Sequence, residues 1–421
     1  MNTHIFRVFS ERSFLFLWIG EVFTQVASNL FNFLLILLVF KLTHSNTAVS
    51  GVVLSFTIPS ILFGSIAGVY VDRWDKKTVL MTTNIARAIL LVCLVFTLNN
   101  LYLIYLISFL FTIFVQFFIP AESPMIPLVV SKKNLLQANA MFGLALFGSI
   151  LVAYILSGPL LLLLHPVKTI LLIAFMLLIG ALFIWFIKPN YSKQSLEKRK
   201  KQAQLNVFHD IKYTLKLISK TKVITHSLFL LALSQILILV LATVAPGYAA
   251  QVLGIPVEQF ALVVVAPAAL GMVVGAVTIV NFFHNHRKEK IIRAGIFLSG
   301  IAMLALPYGS RVTSHDFVQT INLYLPHIIE ITIFHIMIFI AFLLGIGNSL
   351  VFVPANTQLQ EETSDEFRGK IYGFLNTFIG VLSLVPIILV GGLADIIGVG
   401  AVITGIGIAL LLLGFYIVFR R

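Results

Sequence analysis

The sequence predicts an all-α membrane protein: twelve transmembrane helices arranged as two pseudo-symmetric six-helix bundles. Three observations predict it. Charged residues make up 11% of the chain and hydrophobic residues 59%, and the apolar residues fall in runs of about 20, the length that spans a bilayer. Hydrocarbon offers no water to backbone N–H and C=O groups, so these runs must satisfy their hydrogen bonds internally, as helices. The two halves also repeat. Pro120-Ala121 recurs as Pro354-Ala355 and Gly158 as Gly392, at one and the same offset, and Gly64-x-x-x-Gly68 is echoed by Gly271-x-x-x-Gly275. A repeat at one fixed offset divides the chain into two like halves of the same orientation.

The predicted helices cover 14–40, 50–71, 78–98, 101–119, 138–163, 167–187, 223–250, 259–283, 291–309, 329–353, 370–392 and 398–419. They divide the chain into an N-terminal bundle over 1–187, a basic linker over 188–222 and a C-terminal bundle over 223–421. With both termini in the cytoplasm, 25 of the 29 Lys and Arg lie on the cytoplasmic side; the exceptions are Lys41, Lys168, Arg311 and the intrahelical Arg87. Membrane insertion selects this asymmetry. The net charge of +13 is therefore topological, and nucleic acid is not an expected partner. The first run follows Arg7, Glu11 and Arg12 and exceeds the length of a signal core, so no cleaved signal is expected there. The expected location is the cytoplasmic membrane.

The first helix is the most informative. Glu21, Gln25, Ser28 and Asn32 follow at steps of four, three and four, which places them in a stripe about 60° wide. A lipid-facing helix would not carry it, because each unpaired polar group in hydrocarbon costs about 1–3 kcal/mol or more. The stripe faces a wet cavity or a partner helix; packing alone accounts for the Ser and Asn, while an intramembrane Glu21 points to function. In the third helix Thr83, Asn84 and Arg87 precede an apolar half. Arg87 either snorkels to the cytoplasm or pairs with an acid, Glu21 or Glu122.

On the fourth helix Tyr105, Ser108, Thr112 and Gln116 form a second stripe. Pro120, Pro124 and Pro127 are then expected to end the helix, since proline lacks a donor and disfavours helix in its predecessor. Between the second and third helices stands Gly68-x-x-x-Asp72-Arg73-x-x-Lys76-Lys77, preceded by Ser60 and Gly64 at four-residue spacing, a small-residue face that lets helices approach closely. A third stripe, Tyr372, Asn376, Gly380 and Ser383, follows Phe367-Arg368-Gly369-Lys370.

Residues 188–222 hold ten Lys or Arg, followed by apolar residues at helical spacing, as expected of a linker helix lying on an anionic leaflet. The single cysteine, Cys93, lies within an apolar run, which leaves neither a disulfide nor a thiolate metal site. His209-Asp210 and His315-Asp316 fall in polar segments on opposite sides and form no catalytic cluster, so an enzyme is not expected. His335 reads as a buried, hydrogen-bonded histidine. No metal or cofactor is expected.

The loop from Gly68 to Lys77 resembles the signature loop of the major facilitator superfamily. The segments around Pro120-Ala121, Leu136-x-Ala138-Asn139-Ala140 and Phe367-Arg368-Gly369 resemble its bacterial macrolide and enterobactin efflux branch, and the Pro-Ala loops are also similar to those of lysophospholipid transporters. Asp75 stands where the family usually has glycine, and Leu162 and Leu163 replace the last glycines of the antiporter motif that follows Gly158-Pro159. The resemblance implies a monomeric secondary transporter that exports an amphipathic small molecule, or a lipid, in exchange for protons. It places Glu21, Gln25, Ser28, Asn32, Tyr105, Ser108, Thr112, Gln116 and Asn376 at the substrate cavity. It gives gating roles to Gly68, Asp72, Arg73, Lys76, Lys77, Glu122, Gly158, Pro159 and Arg368, with Glu122 expected to latch onto Lys76 or Lys77 and Asp72 onto donors near Lys370–Tyr372. Glu21, modulated by Arg87, is the expected proton carrier.

Overall fold

The computed structural model describes residues 5–131, 134–190, 218, 221–282, 287–312, 333–363 and 365–419. Its long helices, in chain order, are α1 (Arg12–Thr43), α2 (Asn46–Arg73), α3 (Lys76–Val95), α4 (Leu101–Val129), α5 (Leu135–Trp185), α6 (Lys222–Gly247), α7 (Ala266–Phe282), α8 (Lys288–Val312), α9 (Ile333–Glu361), α10 (Asp365–Ile397) and α11 (Val399–Phe419). Eleven helices among the described residues are long and apolar enough to cross a membrane. The fifth counts twice. With 51 residues it would be about 77 Å long at 1.5 Å per residue, against a hydrocarbon core of about 30 Å. Its backbone breaks at His165 (φ 59°, ψ 165°), immediately before Pro166, and the two arms bring the number of crossings to the predicted twelve.

Local sequence explains several helix starts. Asp75 caps α3, accepting from the Thr78 N–H at 2.8 Å, as an N-cap acid does. Asn100 caps α4 through Tyr102 and Leu103. The three prolines do not end α4, which runs on to Val129. They fall on its outward side, Pro124 and Pro127 exposed, while Ala121, Met125, Ile126 and Val129 are buried in an apolar cluster with Phe14, Leu17, Val79 and Ile184. Burial of that face outweighs the lost proline hydrogen bonds. Pro354 is likewise internal to α9. His335 is exposed on α9 rather than buried.

The helices fall into two compact units. The first contains α1 as far as Leu42, α2 from Gly51 onward, α3, α4, α5 and the stretch Asn376–Val381 of α10. Within it α3 packs on both α4 and α5. The second unit contains Thr43–Ser50, α6 to α9, the rest of α10 and α11. There α9 packs against α6, α7 and α8, and α8 also packs on α11. Glycines set the spacing of α7 and α9: a Cβ on Gly271 would lie 2.0 Å from the Phe342 carbonyl oxygen, and one on Gly345 would lie 1.9 Å from that of Ala268. The echo Gly271-x-x-x-Gly275 is thus a backbone-to-backbone contact. Residues 191–217 of the expected linker, and His315-Asp316, lie outside the described residues.

Candidate functional site

The α1 stripe leads to a buried network of polar and ionisable groups inside the first unit. Glu21 stands nine residues into α1, about 14 Å from its start, and is 1% exposed. Gln25 Nε2 donates to Glu21 Oε1 at 2.7 Å. One turn on, Ser28 Oγ donates to the Thr24 carbonyl and accepts from Arg87 Nη1 at 3.0 Å. Asn29 Nδ2 bonds the Gln25 carbonyl, and Asn32 is partly buried.

Arg87 is also 1% exposed. Besides Ser28, its guanidinium donates to Asn84 Oδ1 and to the Thr83 carbonyl. The ring of Phe118 lies 4.8 Å below it and that of Phe111 5.6 Å away, both within cation–π range. Asn84 in turn donates to Thr24 Oγ1 at 2.8 Å, and Thr24 donates to the Gly20 carbonyl. A chain of hydrogen bonds thus joins α1 to α3 through Thr24, Asn84, Arg87 and Ser28. Gly180 in the second arm of α5 admits it: a Cβ there would lie 2.6 Å from Thr24 Oγ1 and 3.1 Å from Asn84 Nδ2. Arg87 does not snorkel.

Glu122 is placed differently from the sequence expectation. It is 4% exposed and its carboxyl group is a hydrogen-bonding neighbour of Glu21, with Gln25 in reach and Arg87 close enough to interact electrostatically. Lys76 points elsewhere, donating to the Val71 carbonyl. The Glu122–Lys76 latch is therefore not formed here, because the length of α4 carries Glu122 back onto the face that meets α1 and α3. Lys77 donates to the Ile187 carbonyl at 2.8 Å. The side chains of Asp72, Arg73, Arg368 and Lys370 lie outside the described residues, and with them the expected contact of Asp72.

The second stripe joins a different neighbour. Gln116 Nε2 donates to Ser60 Oγ on α2 at 3.0 Å, and a Cβ on Gly51 would lie 2.6 Å from Tyr105 Cζ. Ser108 and Thr112 return their hydroxyls to the carbonyls of Ile104 and Ser108. This stripe packs α4 on the small-residue face of α2, whereas a Cβ on Gly68 would meet nothing within 4 Å. Asn376 is exposed on α10, Gly158 is buried and Pro159 exposed on α5. In the second unit Ser234 Oγ donates to Asn348 Oδ1, beside Ser299; this small cleft between α6, α8, α9 and α11 is lined mostly by apolar side chains and carries no charge. No group of His, Cys, Asp and Glu able to hold a metal occurs among the described residues.

Asn84, Thr24 and Gly180 are the members of the network that the sequence-level site lacked. Asn84 stands three residues before Arg87, one helical turn away, and that spacing was the available signal.

The sequence model of the Major Facilitator Superfamily matches residues 17–325. Among curated proteins, the uncharacterized MFS-type transporter YfiS of Bacillus subtilis (strain 168) is 23% identical over 411 residues, covering 93% of this chain and 90% of that protein. YfmI of the same organism, described in the same words, is 22% identical over 403 residues, covering 94% and 93%. Among solved structures, the nucleoside transporter NupG superposes with a TM-score of 0.71 at 13% identity, covering 96% of this chain and 98% of that one. A POT family transporter in complex with a thioalcohol-conjugated peptide gives 0.69 at 13% identity, covering 97% and 95%. At such identities these structures show the shared fold.

Proposed function

The chain belongs to the major facilitator superfamily of membrane transporters, and on that premise we propose that it exports amphipathic small molecules by alternating access, driven by protons. One observation carries the reading: a carboxyl group about 14 Å inside α1, 1% exposed, held by Gln25 and facing Arg87 from α3. A buried ionisable group costs several kcal/mol if it is unpaired, and a helix surrounded by lipid retains one where it moves charge. Glu21 is the group assigned to load a proton on one side of the membrane and release it on the other.

The apolar character of the helices around the few polar groups supports an amphipathic substrate. Asp72, Arg73, Lys76 and Lys77, at the turn between α2 and α3, and Arg368 at the start of α10 are assigned to the cytoplasmic gate. The positive-inside distribution of Lys and Arg supports that orientation in the cytoplasmic membrane. The test is uptake into inside-out proteoliposomes under an imposed pH gradient, with erythromycin and a fluorescent lysophosphatidylethanolamine as probes. Gradient-dependent accumulation of erythromycin supports small-molecule export, and accumulation of the lipid alone assigns the protein to lipid movement. If neither probe accumulates and a broader amphiphile panel also fails, the reading is wrong.

A further inference from the structure

We infer that Glu21 and Glu122 bind a single proton between them, that it rests on Glu122, and that Arg87 is the fixed counter-charge. This deepens the proton-coupling reading and rests on it only for the use to which the proton is put.

Two ionised carboxylates have no hydrogen to share, because each is an acceptor only. Yet Glu21 and Glu122 are hydrogen-bonding neighbours, both almost wholly buried. One proton converts this contact from a repulsion into a hydrogen bond. Charge leads to the same count. With both acids ionised, the two carboxylates and Arg87 leave one net negative charge inside the bundle; with one proton the cluster is neutral, which its apolar surroundings favour. Among the described residues Arg87 is the only other ionisable group that faces the pair.

The position of the proton follows from the partners. Glu21 Oε1 accepts from Gln25 Nε2 at 2.7 Å, as an ionised oxygen would. Glu122 Oε1 is buried without any hydrogen-bond partner. A bare carboxylate oxygen in that position is costly, whereas the carbonyl oxygen of a neutral acid bears little charge. Glu122 is therefore the donor and Glu21 the acceptor. Arg87 makes no contact ion pair with either acid. It is held by Ser28, Asn84 and Thr83, so it offsets charge while leaving the proton exchangeable. On this arrangement Glu122 belongs to the proton site as much as Glu21 does, although the two are on different helices.

The test is infrared spectroscopy of the purified protein in nanodiscs at neutral pH, without substrate, reading the carbonyl stretch of buried protonated carboxylic acid. The wild type should show one such band. It should vanish in Glu21→Gln and equally in Glu122→Gln, because either remaining acid faces Arg87 alone and ionises. A band that survives in one single variant means that one acid holds the proton independently, and that outcome overturns the shared site. A wild-type protein without the band, as a bound sodium ion would produce, also overturns it. Should a glutamine variant fail to fold, Arg87→Gln is decisive: without the cation a neutral cluster needs two protons, and the band should grow about twofold. An unchanged band in Arg87→Gln contradicts the charge count. Because the band is read without substrate, its loss would overturn the shared proton whatever transport does, and failure of gradient-driven transport would overturn the coupling reading alone.

Discussion

Asp395 Oδ2 accepts hydrogen bonds from both the backbone N–H and the hydroxyl of Thr47, at 2.9 and 2.7 Å. Its other oxygen takes the backbone N–H and the side-chain amide of Asn46 at 2.7 and 2.9 Å, and Ser45 Oγ adds a fifth bond at 2.7 Å. An acid near the end of α10 thus caps the first turn of α2, whose orphan N–H groups and dipole both favour an anion. The contact lies wholly within the second unit, which includes Thr43–Ser50.

Asp395→Asn keeps the shape of that cap and loses its charge. The site is solvent-accessible, so the expected cost is about 1 kcal/mol. It should be read as roughly fivefold faster amide exchange at the start of α2, measured by hydrogen–deuterium exchange with mass spectrometry. Unchanged exchange in the peptide containing Asn46 and Thr47 would show that the cap is incidental.

Gly180→Ala should destabilise the first unit. The added methyl would press on Thr24, Asn84 and the Gly20 carbonyl together, an overpacking cost of about 1–3 kcal/mol. Gly405 is the matched control, with nothing within 4 Å of its missing Cβ, and Gly405→Ala should gain up to about 1 kcal/mol of helix propensity. Thermal unfolding in detergent should lower the midpoint for the first variant and hold or raise it for the second.

Thr24 and Asn84 should be energetically coupled through their 2.8 Å hydrogen bond. Asn84→Ala removes the donor to Thr24 Oγ1, which keeps its bond to the Gly20 carbonyl, and leaves one arm of the Arg87 guanidinium without a partner, at a cost of about 2–3 kcal/mol. Adding Thr24→Val should then cost less than it does alone, giving a coupling of about 1 kcal/mol in a double-mutant cycle. Strict additivity would mean that the network is not a unit.

Most of the architecture is legible in the sequence because a bilayer imposes it. Apolar run length and the Pro-Ala repeat are read directly from the chain, and they lead to the correct helix count. The helix ends are less legible where prolines stand: α4 runs through Pro120, Pro124 and Pro127 because the opposite face is buried in tertiary packing, which no local rule contains. The α1 stripe was visible at Glu21 and Gln25, and pairing of Arg87 with an acid was one of two open alternatives. The place of Glu122 was not visible. It depends on where a helix that should have ended carries its side chain, and on Asn84 anchoring Arg87 so that the acids can meet. The α4 stripe had the spacing of a cavity wall, yet the polar side chains that pack α4 onto Ser60 produce the same spacing. Periodicity identifies a polar face without identifying its neighbour.

Transport by Glu21→Gln in proteoliposomes tests the account most directly, with erythromycin or whichever amphiphile the wild type accumulates as the probe. Glutamine preserves the shape of Glu21 and its contact with Gln25 and loses the titratable group. The account predicts that the variant loses accumulation driven by a pH gradient while still exchanging labelled for unlabelled probe across the membrane at a rate close to wild type. Uphill accumulation by Glu21→Gln with the wild-type rate and pH dependence would contradict it.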